Sequence, residues 1–382
     1  MMTGRERMEA LLCGARPDRL PIGGIDAWAE AVERWRREGM PDGVTASETL
    51  GLVDPDGPLE LPLNLNMEPE IPVQILDKGD RYVVLIDEFG VKKRMLREDF
   101  DRSGGYKTAA GDMSAMSEWL DMPVKDLASW KALYEERFQP NVEDRLPEDW
   151  GRGGRADFIR RSEERWVTFF CFPLVGMFGP LRELMGFETL LFNMVDNADL
   201  IHTILDDLTS FWLASFDQVL GQGVRLDQIT FFEDMCSTRT SLISPSMFRE
   251  FLSPAYTKMI EGLSDMGVRV FAMDTDGNAW PILPEMISAG LNGVSPCEVH
   301  AGMDAGKLRE AFPELYLNGG IAKGALTKGP TEIDSEIEDR FEVAWQYGRY
   351  TPSLDHLAPP DIPWVNVQHY ARRYLELAIG EG

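Results

Sequence analysis

From residue 166 onward, short apolar runs alternate with longer amphipathic ones. WVTFFCFP opens the series, a helical segment carries it to about residue 220, and LDQITFFED follows. Next come a helix over about 246–264, VRVFAMDTD, a helix over about 280–289, and GLNGVSPCE. A short helix, LYLNGGI, another helix, RYTPSLDH and a last helix over 365–378 complete it. Strand–helix units repeated in this way predict a parallel sheet with crossover helices. Two earlier stretches, LPIGG near 20 and ETLGLVD near 48, bring the expected strand count to eight. The expected fold is therefore α/β, a (β/α)8 TIM barrel occupying 1–382 as one domain. A doubly wound open sheet is the alternative, although no G-x-G-x-x-G follows any strand.

Ahead of this series the pattern changes. In PVQILDKGDRYVVLIDEFGVKKRM, two β-rich runs flank Lys78-Gly79-Asp80, and a second turn falls at Glu88-Phe89-Gly90. This predicts a three-stranded meander, an N-terminal β-rich insertion over approximately 68–110. The opening MMTGRERMEALLCGARPDRLP carries charges through its apolar positions, so it reads as a short helix with Met8, Leu11 and Leu12 on one face, not as a secretory signal.

Composition narrows the function classes. A chain of 382 residues, 44% hydrophobic, can bury a large core. Its longest apolar runs are broken by Pro and Gly and fall short of a membrane span. The formal charge of −26 would repel phosphate backbones and anionic lipid, which leaves a small-molecule substrate as the expected partner. Cys13, Cys171, Cys236 and Cys297 are far apart with no C-x-x-C pair, which points to a reducing cytoplasm over a disulfide framework.

The candidate chemistry lies at the strand ends. In VRVFAMDTD, alternation puts Val268, Val270, Ala272, Asp274 and Asp276 on one face and Arg269, Phe271, Met273 and Thr275 on the other. The two aspartates would then share the C-terminal mouth, where barrel enzymes keep their chemistry. Helix capping requires only one of them, so the pair favours a functional role. Glu233, Asp234 and Cys236 follow one strand, Cys297, Glu298 and His300 end another, and Asn318 and Lys323 flank a third; Tyr350, Asp355 and His356 belong to the last. Each also has an ordinary structural role open to it: a solvated strand end for Glu233 and Asp234, a core thiol for Cys297, a turn for His356. Acidic groups gathered at one mouth would raise one another's pKa or share a cation.

The order of these strand ends resembles the uroporphyrinogen decarboxylase superfamily, which includes the corrinoid-linked methyltransferases. The resemblance runs from RERMEALLCGARPDRLP to LDHLAPPDIPWVN, through SLISPSMFREFLSPAYTKMI, GLNGVSPCEVHAGMD and LNGGIAKGAL. It implies a (β/α)8 barrel. The decarboxylases carry an early R-Q-A-G-R segment; here LPIGGIDAWAE stands in its place. Their catalytic aspartate aligns with Gly57, with Asp56 beside it and Asp54 close, and their Leu-Gly-His-Gly histidine matches His356. The methyltransferases bind zinc through His-x-Cys-Gly and a later Cys. Those positions hold Asp274-Thr275-Asp276-Gly277 and His356 in this chain. Two carboxylates and an imidazole suit zinc or a harder divalent ion such as Mn, Fe or Mg.

The resemblance thus implies a methyltransferase-like enzyme moving a methyl or one-carbon group from a small substrate, with a corrinoid protein as partner. Asp274, Asp276 and His356 are the expected metal ligands, Glu233, Asp234, Glu298 and Tyr350 the expected catalytic groups, and Asp56, Lys323, Cys297 and His300 the expected substrate contacts. Metal-free decarboxylation of a tetrapyrrole or other electron-rich carboxylate is the alternative. A ligand-binding barrel without chemistry is the third.

Overall fold

The computed structural model describes residues 1–102 and 117–379. Eleven strands run through them: β1 (Leu59–Glu60), β2 (Gln74–Lys78), β3 (Tyr82–Ile86), β4 (Lys92–Leu96), β5 (Glu118–Asp121), β6 (Val167–Phe170), β7 (Gln228–Phe232), β8 (Val270–Asp274), β9 (Gly293–Cys297), β10 (Tyr316–Ile321) and β11 (Tyr350–Leu354). β1 and β6 to β11 form one curled parallel sheet in the order β1-β6-β7-β8-β9-β10-β11. Helices fill the crossovers, among them Ala198–Leu220, Ser253–Asp265, Pro330–Tyr347 and Trp364–Ile379. Because every strand points the same way, all their C-terminal ends open on one mouth.

The eight-strand count is corrected to seven among the described residues. ETLGLVD is not a strand: Ala46–Leu50 is a short helix, started by a capping box between Thr45 and Glu48. The place it was expected to take belongs to β1, farther along the chain. LPIGG is not a strand either. Its segment nevertheless runs between the two edges of the sheet. The Gly23 N–H donates to the Tyr374 hydroxyl at 2.9 Å, the Ile22 N–H donates to Asp54 at 3.1 Å, and Ala27 makes an isolated parallel bridge to Ala358.

β2 to β5 form a separate antiparallel sheet in sequence order. β3 and β4 pair in register from Tyr82↔Leu96 to Ile86↔Lys92 across the Asp87–Val91 turn. The sheet reaches Asp121, beyond the 68–110 expected for the insertion, and residues 103–110 of that span lie outside the described residues. No helix among the described residues is long and apolar enough to cross a membrane.

Register sorts the parallel sheet into two faces. Phe271, Met273, Val294 and Leu317 join the main hydrophobic core. The opposite face carries Thr230, Ala272, Gly293 and Tyr316 in one row, with Phe232, Asp274 and Ser295 in the next. Small and polar side chains therefore share the concave face below the mouth with the rings of Phe232 and Tyr316. The other end is closed by ion pairs. Arg5 donates two hydrogen bonds to Asp227, at 2.8 and 2.6 Å, just before β7. Asp227 in turn accepts the Val167 N–H at 2.8 Å.

Candidate active site

Asp274 ends β8 on the concave face, level with Ser295 of β9. Ser295 donates to Asn318 at 3.2 Å, so this row is polar. No hydrogen bond from the described residues reaches the Asp274 carboxyl. Burial, and then the neighbouring Asp234 and Asp276, push its pKa up to about 8. At neutral pH it is an uncharged acid facing the mouth.

Two residues on, Asp276 accepts a hydrogen bond from His356 Nε2 at 3.0 Å. That bond raises the His356 pKa, which favours imidazolium. The Trp28 ring lies 5.9 Å from the imidazole, so the segment in the strand gap also borders the mouth. The turn between the two aspartates and the next helix is held from two sides. The Gly277 N–H donates to Glu298 at 3.0 Å. A Cβ on Gly277 would stand 2.6 Å from the Ser237 carbonyl oxygen, and its φ is +86°, so only glycine fits.

Lys323 joins the ends of β9, β10 and β11. Its Nζ lies 3.2 Å from Glu298 and 3.8 Å from Asp355. Its backbone N–H donates to Asp355 at 2.9 Å, and the other Asp355 oxygen accepts the Val299 N–H at 3.1 Å. Asp234 sits at φ +44°, close to Arg182, whose guanidinium donates to the Asp234 carbonyl at 3.0 Å. Burial raises the Asp234 pKa against that cation.

Glu233 is differently employed. Its side chain is wholly buried and accepts N–H groups from Met177, Phe178 and Gly179 at 2.6, 2.5 and 3.1 Å, together with the Tyr256 hydroxyl. It clamps the start of the helix Phe178–Met185, whose first N–H groups have no intrahelical acceptor. Burial pushes its pKa up to about 7. Tyr256 is delivered by a helix containing Pro254; a π turn at Phe248–Leu252 precedes it and absorbs the missing donor.

The structure thus brings Asp234, Asp274, Asp276, Glu298, Lys323 and His356 to one mouth and separates the remaining candidates from it. Glu233, expected to be catalytic, has each of its oxygens engaged in the clamp. Tyr350 is fully buried, and its hydroxyl donates to the Gly319 carbonyl at 2.9 Å, so it is no proton donor to substrate. Cys297 is fully buried and held as a thiol, its pKa pushed up to about 12 by burial, so it is no substrate contact. His300 is exposed on a short turn with no hydrogen bond to the other site residues. Asp56 lies before β1, at the closed end, within 3.7 Å of Arg7 and Arg19.

The metal site expected on Asp274, Asp276 and His356 does not fit this arrangement. Among the described residues, no three His, Cys, Asp or Glu groups are placed to hold a metal ion. Asp276 and His356 are paired with each other, and Asp274 is not grouped with them as a third donor. Sequence reasoning missed Arg182, Tyr256 and Ser295. Ser295 was findable from strand alternation, whereas Arg182 and Tyr256 sit inside amphipathic helices without distinguishing signal.

A model of the uroporphyrinogen decarboxylase (URO-D) family matches residues 176–374, which takes in the ends of β7 to β11. The chain belongs to the URO-D family. Among solved structures, a methyltransferase from Methanosarcina mazei is 18% identical, covering 98% of this chain and 99% of its own, with a TM-score of 0.58. That likeness supports the fold of this URO-D family member. Another, described as a vitamin-B12 independent methionine synthase from Listeria monocytogenes, is 13% identical over 58% of this chain and 68% of its own. Its TM-score of 0.32 is too low to bear on the fold. No curated protein matches the chain.

Proposed function

We propose that the mouth performs general-acid-assisted transfer of a methyl or other one-carbon group from a small uncharged substrate. The observation that carries this reading is the placement of the Asp274 carboxyl at the end of β8, without a hydrogen bond from the described residues, its pKa pushed up to about 8 by burial, beside the hydrogen-bonded His356–Asp276 pair. A methyl group bound to nitrogen or oxygen leaves slowly because the departing heteroatom takes up negative charge. As the acceptor's electron pair forms the new bond to carbon, the electrons of the old bond pass to the heteroatom. Asp274 gives that atom its proton and is left as carboxylate. His356, whose charged form Asp276 favours, eases the new charge. Ser295 and Asn318 offer hydrogen bonds to orient the substrate.

Charge selects the substrate class. Asp234, Asp276, Glu298 and Asp355 surround the mouth against Arg182, Lys323 and His356, and each of those cations already has a carboxylate partner. A polycarboxylate such as a tetrapyrrole is disfavoured there. The Methanosarcina neighbour, a methyltransferase, agrees with methyl transfer. The acceptor is a nucleophile brought by a partner, with a corrinoid protein as the candidate. A second reading, decarboxylation of a monocarboxylate, draws on the same acid, which would protonate the carbanion after CO2 leaves.

The test offers the purified protein methylated amines, ethers and thioethers together with reduced cobalamin, following methylcobalamin by absorbance. Turnover of at least one donor, lost in Asp274→Asn, supports the reading. CO2 release without methylcobalamin would replace it with the second. An Asp274→Asn variant as active as wild type would remove Asp274 as the acid.

A further inference from the structure

A cavity of about 360 Å³ lies between the antiparallel sheet and the C-terminal ends of β1 and β6, on the β1–β6 side of the mouth. Its chemistry follows from the turn joining β3 to β4. Asp87 builds that turn: its carboxylate accepts the N–H groups of Phe89 and Val91 at 3.0 and 2.8 Å, and Lys93 pairs with it at 2.7 Å. Gly90, at φ +79°, closes it. Glu88 is left over. Its backbone carbonyl accepts the Ile71 N–H at 3.2 Å, and its side chain turns inward, only 6% exposed.

Both Glu88 carboxyl oxygens are buried, and no other residue donates a hydrogen bond to them; only the residue's own backbone N–H faces the carboxyl. Leaving a carboxyl in that state is costly unless it is protonated or something binds it. Across the cavity, Asn66 repeats the pattern. Its Nδ2 donates to the Phe172 carbonyl at 2.9 Å, while its Oδ1 is buried and unpartnered. The unsatisfied atoms at this cavity are thus three oxygens, all acceptors. Glu70 adds a second carboxyl, no lysine or arginine lines the space, and Phe89 and Phe172 supply apolar faces. Burial raises the Glu88 pKa, with Asp87 and Glu70 adding to the rise and Lys93 opposing it.

Acceptors without matching donors, an unbalanced negative charge and aromatic walls call for a positively charged, N–H-bearing ligand with carbon attached. A bare divalent ion does not suit the site, since three metal-binding side chains are not grouped there among the described residues. We propose that this cavity binds an organic ammonium ion, its N–H groups on Glu88 and Asn66 Oδ1 and its carbon chain against Phe89 and Phe172. The site is separate from the acid of the mouth. Phe172 packs edge-on against Phe232 at 4.6 Å, and Phe232 pairs in register with Asp274, so one aromatic pair stands between the two. The inference does not depend on the reaction proposed above.

Calorimetric titration of the full chain with n-butylammonium chloride tests it, with butan-1-ol as the uncharged probe of the same length. Saturable one-site binding of butylammonium is expected, with none of butan-1-ol. Glu88→Gln should weaken it about tenfold or more, the effect of removing a charge-assisted contact, while Asp276→Asn changes it less than about twofold. Saturation transfer from aromatic protons to the butyl methylenes, present in the wild-type protein, should fall in Phe172→Ala, a readout independent of how Glu88→Gln folds. No butylammonium binding, equal binding of butan-1-ol, or an affinity unchanged in Glu88→Gln would overturn the proposal. So would a loss in Asp276→Asn as large as that in Glu88→Gln, which would put the cation in the mouth.

Discussion

Replacing Asp274 with asparagine should make the protein harder to unfold, and increasingly so as the pH rises. In the folded chain the carboxyl titrates at about 8, against an ordinary value of 3.8 once unfolded. Between those values the folded state holds a proton that the unfolded state has released. Raising the pH through that window therefore draws the equilibrium toward the unfolded chain. Asparagine matches the protonated acid in size and cannot ionise, so the variant escapes this loss. At about 1.4 kcal/mol per pKa unit, the full shift sets a ceiling of roughly 5–6 kcal/mol. Asp274 keeps some contact with water at the mouth, and solvent screening brings the expected gap down to about 2–3 kcal/mol at pH 8. Urea unfolding followed by tryptophan fluorescence at pH 5, 6.5, 8 and 9 measures it, wild type against variant. The gap should be small at pH 5, widen to pH 8 and then level off. A gap that stays constant, or closes as the pH rises, would refute the argument that burial beside Asp234 and Asp276 keeps this acid protonated.

Three further outcomes are expected. The His356 imidazole should titrate above 6.5 by NMR, and Asp276→Asn should move it down; the stability this pair adds is complete below the unfolded value and disappears as the pH rises through the folded one. Glu233→Ala orphans three buried N–H groups and should cost about 3 kcal/mol or more, with Tyr256→Phe costing about 1–2 kcal/mol; amide exchange at Met177 to Gly179 should accelerate in both. Gly176→Ala or Gly179→Ala would put a Cβ 2.1 or 2.3 Å from the Phe232 carbonyl oxygen, so either should lower the urea midpoint sharply, and a wild-type midpoint would count against the close packing of this loop on β7.

The regular alternation after residue 166 was enough to locate β6 to β11 and their helices, because buried parallel strands and amphipathic helices leave strong local periodicities. The same local signal misread the first third of the chain. ETLGLVD has the apolar content of a strand, but a Thr45–Glu48 capping box turns it into a helix, and the two-residue β1 is too short to announce itself. Alternation along VRVFAMDTD correctly assigned Asp274 to the polar face, since side-chain direction in a strand depends only on parity.

What each carboxyl does was outside the reach of sequence. Glu233 and Asp234 are adjacent and chemically alike, yet one is consumed by Tyr256 and three backbone donors while the other borders the mouth beside Arg182. The partners that separate them come from residues 20 to 60 positions away, and only chain packing brings those together. The same holds for Asp276, whose partner His356 lies at the far end of the sheet, and for Glu88, left without a donor from another residue by a turn that Asp87 already satisfies. By itself the sequence determined the succession of strands and helices and the end of the sheet where acidic groups collect, because both are set by neighbours along the chain. The tertiary structure decided which of those groups are charged, which are tied off and which face a ligand, because desolvation and hydrogen bonding depend on neighbours in space.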